Sequence, residues 1–549
     1  MNLPKRLSFL LIAVLVSAGQ LQAQHEPDLT IEFFPYEYSG SQQTLIFHPK
    51  EGSIHGGAVF FPKLPSTCVD PLLCLGGYNV LPFSNDRITF HVPVTNGSPI
   101  EFYVIALNSL GKLIRSRTYF VKYRQAGHTY FVDRNHPQAA DSNPGTESLP
   151  WRTIVHGASQ VDVGDTLFVK RGTYRDGNVV LGRSGQYGRE IVLAAYPGHE
   201  HEVVIVGAGI RVIGKSHYAI HGFKVLHAPN KGIHSEGPSN TYGPPATNIW
   251  ITGNYTHDTH SSGISIWGTP WQRDPGNYDN IADVVVEDNL LELGTNGGRN
   301  EIITVANGAS RVDVRYNTIR IGDPNMTGGD EGIDFKEGVR DSRIFGNLIY
   351  DLSDKAIYID GGSDPHDPQI TNIHIFNNIM YDLPSAGVSI VTEGRGDVNG
   401  VYVYNNLVYG VDGNGLMVYD HPGGHAEGGT VKNVYFINNT VYDAGRRHGG
   451  YGGIRIDHPT ATGIVIRNNI AYNNNGFDIR GESGTTIDHN FTADPHFVNT
   501  AQADFRLQST SPAIDRGNAA GAPSFDLSGA NTRPRGWGVD IGTYEFRAE

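Results

Sequence analysis

Between residues 230 and 480 the chain alternates apolar and polar positions in short runs, each closed by glycine, asparagine or aspartate. Period-two alternation marks strands with one face inside and one outside. The runs "GIHSEG", "GISIWG", "EIITVANG", "GIDFKEG", "AIYIDGG", "GVSIVTEG", "GLMVYDH" and "GIRIDHP" follow one another, and each is followed by one member of an asparagine series: Asn254, Asn289, Asn317, Asn347, Asn378, Asn406, Asn439 and Asn469. These asparagines are 28 to 35 residues apart, and each interval has room for two or three short strands with no helix. Such a period describes a parallel β-helix, whose coils bury their apolar faces by stacking on one another. Each asparagine is expected at the same corner of its coil, in left-handed backbone geometry and hydrogen-bonded along a ladder. They read as scaffold.

Stacking the runs puts Ile233, Ile264, Ile303, Ile333, Ile357, Val388, Leu416 and Ile454 in one inward column. Two outward columns follow from the alternation. One is His234, Ser265, Thr304, Asp334, Tyr358, Ser389, Met417 and Arg455; the other is Glu236, Trp267, Ala306, Lys336, Asp360, Val391, Tyr419 and Asp457. With rungs about 4.8 Å apart, Asp334, Lys336, Tyr358 and Asp360 form one ionisable patch. Trp267 and Tyr419 flank it as aromatic platforms, and the small Ala306 is expected to leave space beside Lys336. Aromatic platforms around an ionisable centre suit a long polymer, although charge pairs on a solvated sheet face leave the same trace in a sequence.

The rest of the chain divides around this solenoid. Residues 1–23 place Lys5 and Arg6 before an apolar run, the pattern of a secretory signal peptide, so a secreted or periplasmic protein is expected. Residues 24–125 alternate in short strands such as "RITFHVPV" and "IEFYVIALN" and read as a β-sandwich. The β-helix is expected over 126–490, with one short helix at Ile154 to Gln160, and a C-terminal capping segment over 491–549. The fold class is all-β.

Composition narrows the partners. A formal charge of −14 leaves no basic footprint for nucleic acid. No apolar run after the signal segment is long enough to span a bilayer, and a monomer is expected. Cys68 and Cys74, close together in an exported chain, read as a local disulfide.

The segments "YFVDRNHPQAADSNPGTESLPWRTI…GDTLFVKRGTY" and "DPHFVNTAQADFRLQSTSPAIDRG…DIGTYEF" resemble the opening coil and the C-terminal segment of the secreted right-handed parallel β-helix proteins of the pectate-lyase-like superfamily, over roughly residues 127 to 549. The resemblance implies a right-handed parallel β-helix. It leaves the chemistry open among lyases, glycosidases, epimerases and binding proteins.

Cleavage of a uronate-containing polysaccharide by β-elimination requires a base for the proton α to the carboxylate and a cation that neutralises that carboxylate. Lys336 is the candidate base, since a lysine in cationic company can lose its proton. Glu301, Asp330 and Glu331 are the candidate ligands of Ca2+, with Asp334 close by. The stretch "EGIDFK" is similar to the motif of the alginate lyase and chondroitinase B family, where a Glu five residues before the catalytic Lys helps hold Ca2+; Glu331 and Lys336 stand at that spacing. That family uses an arginine on the following coil, where this chain has Asp360. "DPHD", Asp364 to Asp367, looks like the short motif of mannuronan C5-epimerases and makes His366 a candidate partner in proton transfer.

Two alternatives use the same residues. A glycoside hydrolase would pair Asp334 or Glu337 with Asp360, and Lys336 would tune them. A non-catalytic glycan-binding protein would use only the groove. In each case the expected partner is a polysaccharide, acidic in the lyase reading, with Trp267, Tyr358, Tyr419 and Arg455 as its contacts.

Overall fold

The computed structural model describes residues 127–546 except 239–243, 269–279, 298–300, 323–329, 363–367, 394–395, 421–428, 448 and 529–531, and before them the strand segments between residues 29 and 125. The chain forms two compact units, one built from the residues before 128 and the other from most of those after. In the first, Leu29–Glu32, Gln42–Pro49 and Arg87–His91 make one antiparallel sheet. Seven further strands make a second, mostly antiparallel sheet around the pairing of Ile54–Pro62 with Tyr78–Phe83 and Ile100–Asn108. Phe102, Val104 and Ala106 are buried at every second position, as a strand with one inner face requires. The signal segment and Cys68 lie outside the described residues, and with Cys68 the expected bridge to Cys74.

The second unit is a right-handed parallel β-helix, the hand that parallel crossovers take. Its coils contribute to three parallel sheets of 13, 11 and 11 described strands. The helix Ile154–Gln160 stands at its opening, capped by Thr153, whose hydroxyl accepts the His156 N–H at 3.2 Å. No helix among the described residues is long and apolar enough to cross a membrane.

The asparagine ladder forms. The amide of Asn289 donates to Asn317 at 3.0 Å, Asn317 to Asn347 at 3.0 Å, Asn347 to Asn378 at 3.0 Å and Asn378 to Asn406 at 2.9 Å. The left-handed residue is the one before each ladder asparagine: Asp288, Tyr316, Asn377, Asn405, Asn438 and Asn468 all have φ between 53° and 57°. The chain bends there, which frees the asparagine itself to aim its amide inward along the stack.

The described residues of 491–546 pack against a flank of the solenoid. Phe497, Phe505, Leu507, Ala513 and Ile541 fold back along the second sheet, over Ile379, Leu407 and Ile470. Tyr381 and Tyr409, stacked 4.9 Å apart, pack there too, and the Tyr409 ring meets Phe505 at 5.0 Å. The tyrosines give the second sheet an apolar outer face, and the C-terminal segment keeps it from water.

Candidate functional site

The third sheet carries the outward columns. Its core column has the expected register, and Ile233, Ile264, Ile303, Ile333, Ile357, Val388, Leu416 and Ile454 are all fully buried. Across one rung, Asp334 faces Tyr358 and Lys336 faces Asp360. The opposite face of these strands is not a solvated one: Asp334 is 1% and Asp360 5% exposed. Charge pairs that merely decorate a surface are not buried, because removing a carboxylate from water is costly.

Lys336 lies between two acids. Its ammonium donates to Glu301 Oε1 at 2.7 Å and stands 3.2 Å from Asp334 Oδ2. Glu301 is itself fixed by Thr304, whose hydroxyl donates to Oε2 at 2.8 Å. Burial favours a neutral lysine, but Asp334 and Glu301 outweigh it and hold the ammonium well above the ordinary lysine range. The company of Lys336 is therefore anionic, and the expected route to a basic lysine does not fit this setting.

The carboxyl groups shift the other way. Burial pushes Asp334 well above the carboxylate range, with Lys336 opposing and Glu301 and Asp360 adding to the shift. Its Oδ1 is buried with no hydrogen-bond partner among the described residues. Burial and the nearby Glu393 push Asp360 up to about 7, against the Gly362 N–H that its Oδ1 accepts at 2.8 Å. Burial also raises Glu331 and Asp330.

Lys355 and Glu393 complete the centre and Lys231 stands beside it at Trp267, and none of the three stood out in the sequence. Lys355 donates to Glu331 at 2.8 Å, lies 3.1 Å from Asp354 and sits 4.2 Å from the centre of the Tyr358 ring. Glu393 accepts the Tyr358 hydroxyl at 2.6 Å. Lys231 lies 3.1 Å from the centre of the Trp267 ring. Lys231 and Lys355 occupy the position two residues before the inward column, the same one held by Glu301 and Glu331. Aligning that corner coil by coil would have found both.

The remaining expected contacts divide. Tyr358 is buried and forms floor instead of a platform. Tyr419 is half-buried beside it, in hydrogen-bond contact with its hydroxyl. Trp267 is half-buried with Lys231 on its face. Arg455 pairs with Asp457 on its own strand. Ala306 is buried, so the space expected beside Lys336 is filled. Glu337 turns the corner after Lys336 in left-handed geometry, φ 54°. His366 and the rest of "DPHD" lie outside the described residues.

The donors expected for Ca2+ do not suit it. Glu301 is committed to Lys336 and Thr304, and Glu331 to Lys355. Among the described residues no group of three or more His, Cys, Asp or Glu side chains is placed to hold a metal ion, whereas Ca2+ takes about six to eight oxygens. Lysine ammonium groups stand where the cation was expected.

Residues 339–524 match the family model described as disaggregatase related. The Bacillus subtilis (strain 168) protein named YwoF is 25% identical over 402 residues, which span 64% of this chain and 78% of that one. Among solved structures, a rhamnogalacturonan lyase is 16% identical with a TM-score of 0.42, covering 68% of this chain and 91% of its own. A PL6 family polysaccharide lyase from Pseudopedobacter saltans is 13% identical, with a TM-score of 0.37 and coverage of 66% and 96%. An endo-xylogalacturonan hydrolase from Aspergillus tubingensis is 11% identical, with a TM-score of 0.37 and coverage of 65% and 95%.

Proposed function

We propose that this protein is a secreted or periplasmic polysaccharide-degrading enzyme that cleaves a uronate-containing chain by β-elimination, with Lys336 and Asp360 at the reacting sugar. One observation supports the reading above the others: across a single rung an ammonium held charged faces a carboxyl group with a pKa of about 7. Lys336, 17% exposed, is open enough to receive the substrate carboxylate and neutralise it, the task otherwise given to a metal ion. Asp360 titrates near neutral pH and is more basic than an ordinary aspartate, which suits removal of the proton α to that carboxylate. The bond to the leaving oxygen then breaks, a carbon–carbon double bond forms in the ring, and water returns a proton to the leaving oxygen.

Alginate, pectate and glycosaminoglycans incubated with the purified protein test this. The expected result is growing absorbance of unsaturated uronate, unchanged by a chelator and abolished in Lys336→Met and Asp360→Asn. Full activity in Lys336→Met would sink the assignment.

The contact between Glu393 and Tyr358, close to Asp360, favours a second reading. In a glycoside hydrolase Asp360 would donate the proton and Glu393 would be its carboxylate partner. New reducing ends without the absorbance would establish that reaction, and binding without any product would leave a glycan-binding protein.

A further inference from the structure

Lys231 has no part in the reaction just described. Its ammonium lies over the Trp267 ring. Among the described residues no carboxylate bonds it. Glu236, the acid that acts on it most strongly, is taken by His234 Nε2 at 2.9 Å, and His234 Nδ1 lies 2.7 Å from the Ser265 hydroxyl. Burial, with Arg211 and Lys336 adding to it against Glu236, lowers the Lys231 pKa to about 8. At neutral pH it is still an ammonium group, with no carboxylate in direct ion-pair contact among the described residues.

A second donor nearby is also unsatisfied. Trp267 Nε1 is buried with no acceptor among the described residues. A half-buried charged donor and a buried neutral one, on adjoining rungs, are costly to keep unless a ligand supplies the acceptor. The ligand chemistry that satisfies both is an anion with two oxygens, a carboxylate. The strand of Trp267 is separated from that of Lys336 by the strand Ile303–Ala306, a spacing of about 10 Å along the sheet, so Lys231 and Trp267 lie to one side of the reacting centre.

We propose that Lys231 and Trp267 form a carboxylate subsite that holds a second uronate residue of the same polysaccharide chain, away from the bond that is cut. This rests on the reading of the third sheet as a uronate-polymer groove and adds a requirement to it: the chain must be charged on the Lys231 side of the reacting sugar as well as at it. A polymer with isolated uronates among neutral sugars would then be a poorer substrate than one with uronates in succession.

The test measures binding apart from turnover. Full-length protein carrying Asp360→Asn is titrated calorimetrically with uronate hexasaccharides from alginate and from pectate, and with the same oligomers after carboxyl reduction. Adding Lys231→Gln is expected to weaken uronate binding about tenfold and to leave the reduced oligomers unaffected, and Lys231→Arg is expected to recover most of the loss. Trp267→Phe keeps a ring under Lys231 but removes the N–H, and about a threefold loss is expected; it carries the test if Lys231→Gln does not fold. The Lys231 side-chain pKa, followed by NMR, is expected to rise when the oligomer binds. Unchanged affinity in a folded Lys231→Gln, or no binding of either hexasaccharide by the parent, overturns the subsite. Lys231-dependent binding, with no unsaturated product from the protein that keeps Asp360, would strike the elimination reaction and leave the subsite standing. Turnover with an unaltered KM in Lys231→Gln would do the reverse.

Discussion

Lys336 and Asp360 face each other across one rung and depart from their ordinary ionisation in ways that complement each other. The ammonium is stabilised by Glu301 and Asp334, and the Asp360 carboxyl group is held back from ionising by burial. If Asp360 is the base of an elimination, the rate rises with pH through about 7; if it is the acid of a hydrolase, the rate falls over the same range. A pH profile of kcat for the unaltered protein therefore separates the two. Stability carries a second signature. The folded pKa of Asp360 lies above its ordinary 3.8, so folding favours the protonated form. Its contribution to stability is fully present below about pH 4 and is lost as the pH rises through about 7. Asp360→Asn, neutral at every pH, is expected to stabilise the protein at pH 8 by on the order of 2 to 4 kcal/mol and by little at pH 4. Thermal unfolding at the two pH values measures this, and equal shifts at both would contradict the buried-acid account. A residue that costs stability and is needed for activity is what a reaction centre retains.

Within the coil, the asparagine ladder and the bend beside it make separable contributions. Asn378 accepts from the Asn347 amide and donates to Ile344 O and to Asn406 Oδ1. Asn378→Ala leaves those buried groups unpaired and is expected to cost about 3 kcal/mol or more in denaturant unfolding. Asn377 sits at φ 55°, geometry that glycine adopts without steric cost, so Asn377→Gly is expected to fall within about 0.5 kcal/mol of the parent. Similar losses from both would mean that the bend, and not the ladder, carries the corner. The period of the asparagines and the alternation of the strands were legible because every coil repeats the same physical demand, an apolar face in and a polar face out. The left-handed position was misplaced by one residue, since Asp288, Tyr316 and Asn377 share geometry without sharing side-chain chemistry.

Across the whole chain, the acidic balance of −14 coexists with three lysines on the third sheet and the corner that leads into it: Lys336 on the sheet, Lys231 and Lys355 at the corner. The sum of charges says nothing of this local surface, which is what a polyanionic substrate would meet. The C-terminal segment gives a second test at this scale. Ending the chain after Asn490 uncovers Leu407, Ile470 and the stacked Tyr381 and Tyr409, and the shortened protein is expected to aggregate or to unfold at a lower temperature, as light scattering during a thermal ramp would show. Retained solubility and an unchanged midpoint would mean that the segment is dispensable.

By itself the sequence determined the coil period, the inward column, the asparagine ladder and the face on which Asp334, Lys336 and Asp360 stand. Each of these follows from local alternation repeated along the chain. Only the tertiary structure decided the ionisation of that face. Glu301 and Lys336 are 35 residues apart, and Lys355 reaches back to Glu331 from the next coil. Whether a lysine is base or cation depends on which charges the stack brings within 3 Å of it and how little water remains, and neither is written in the run that contains the lysine.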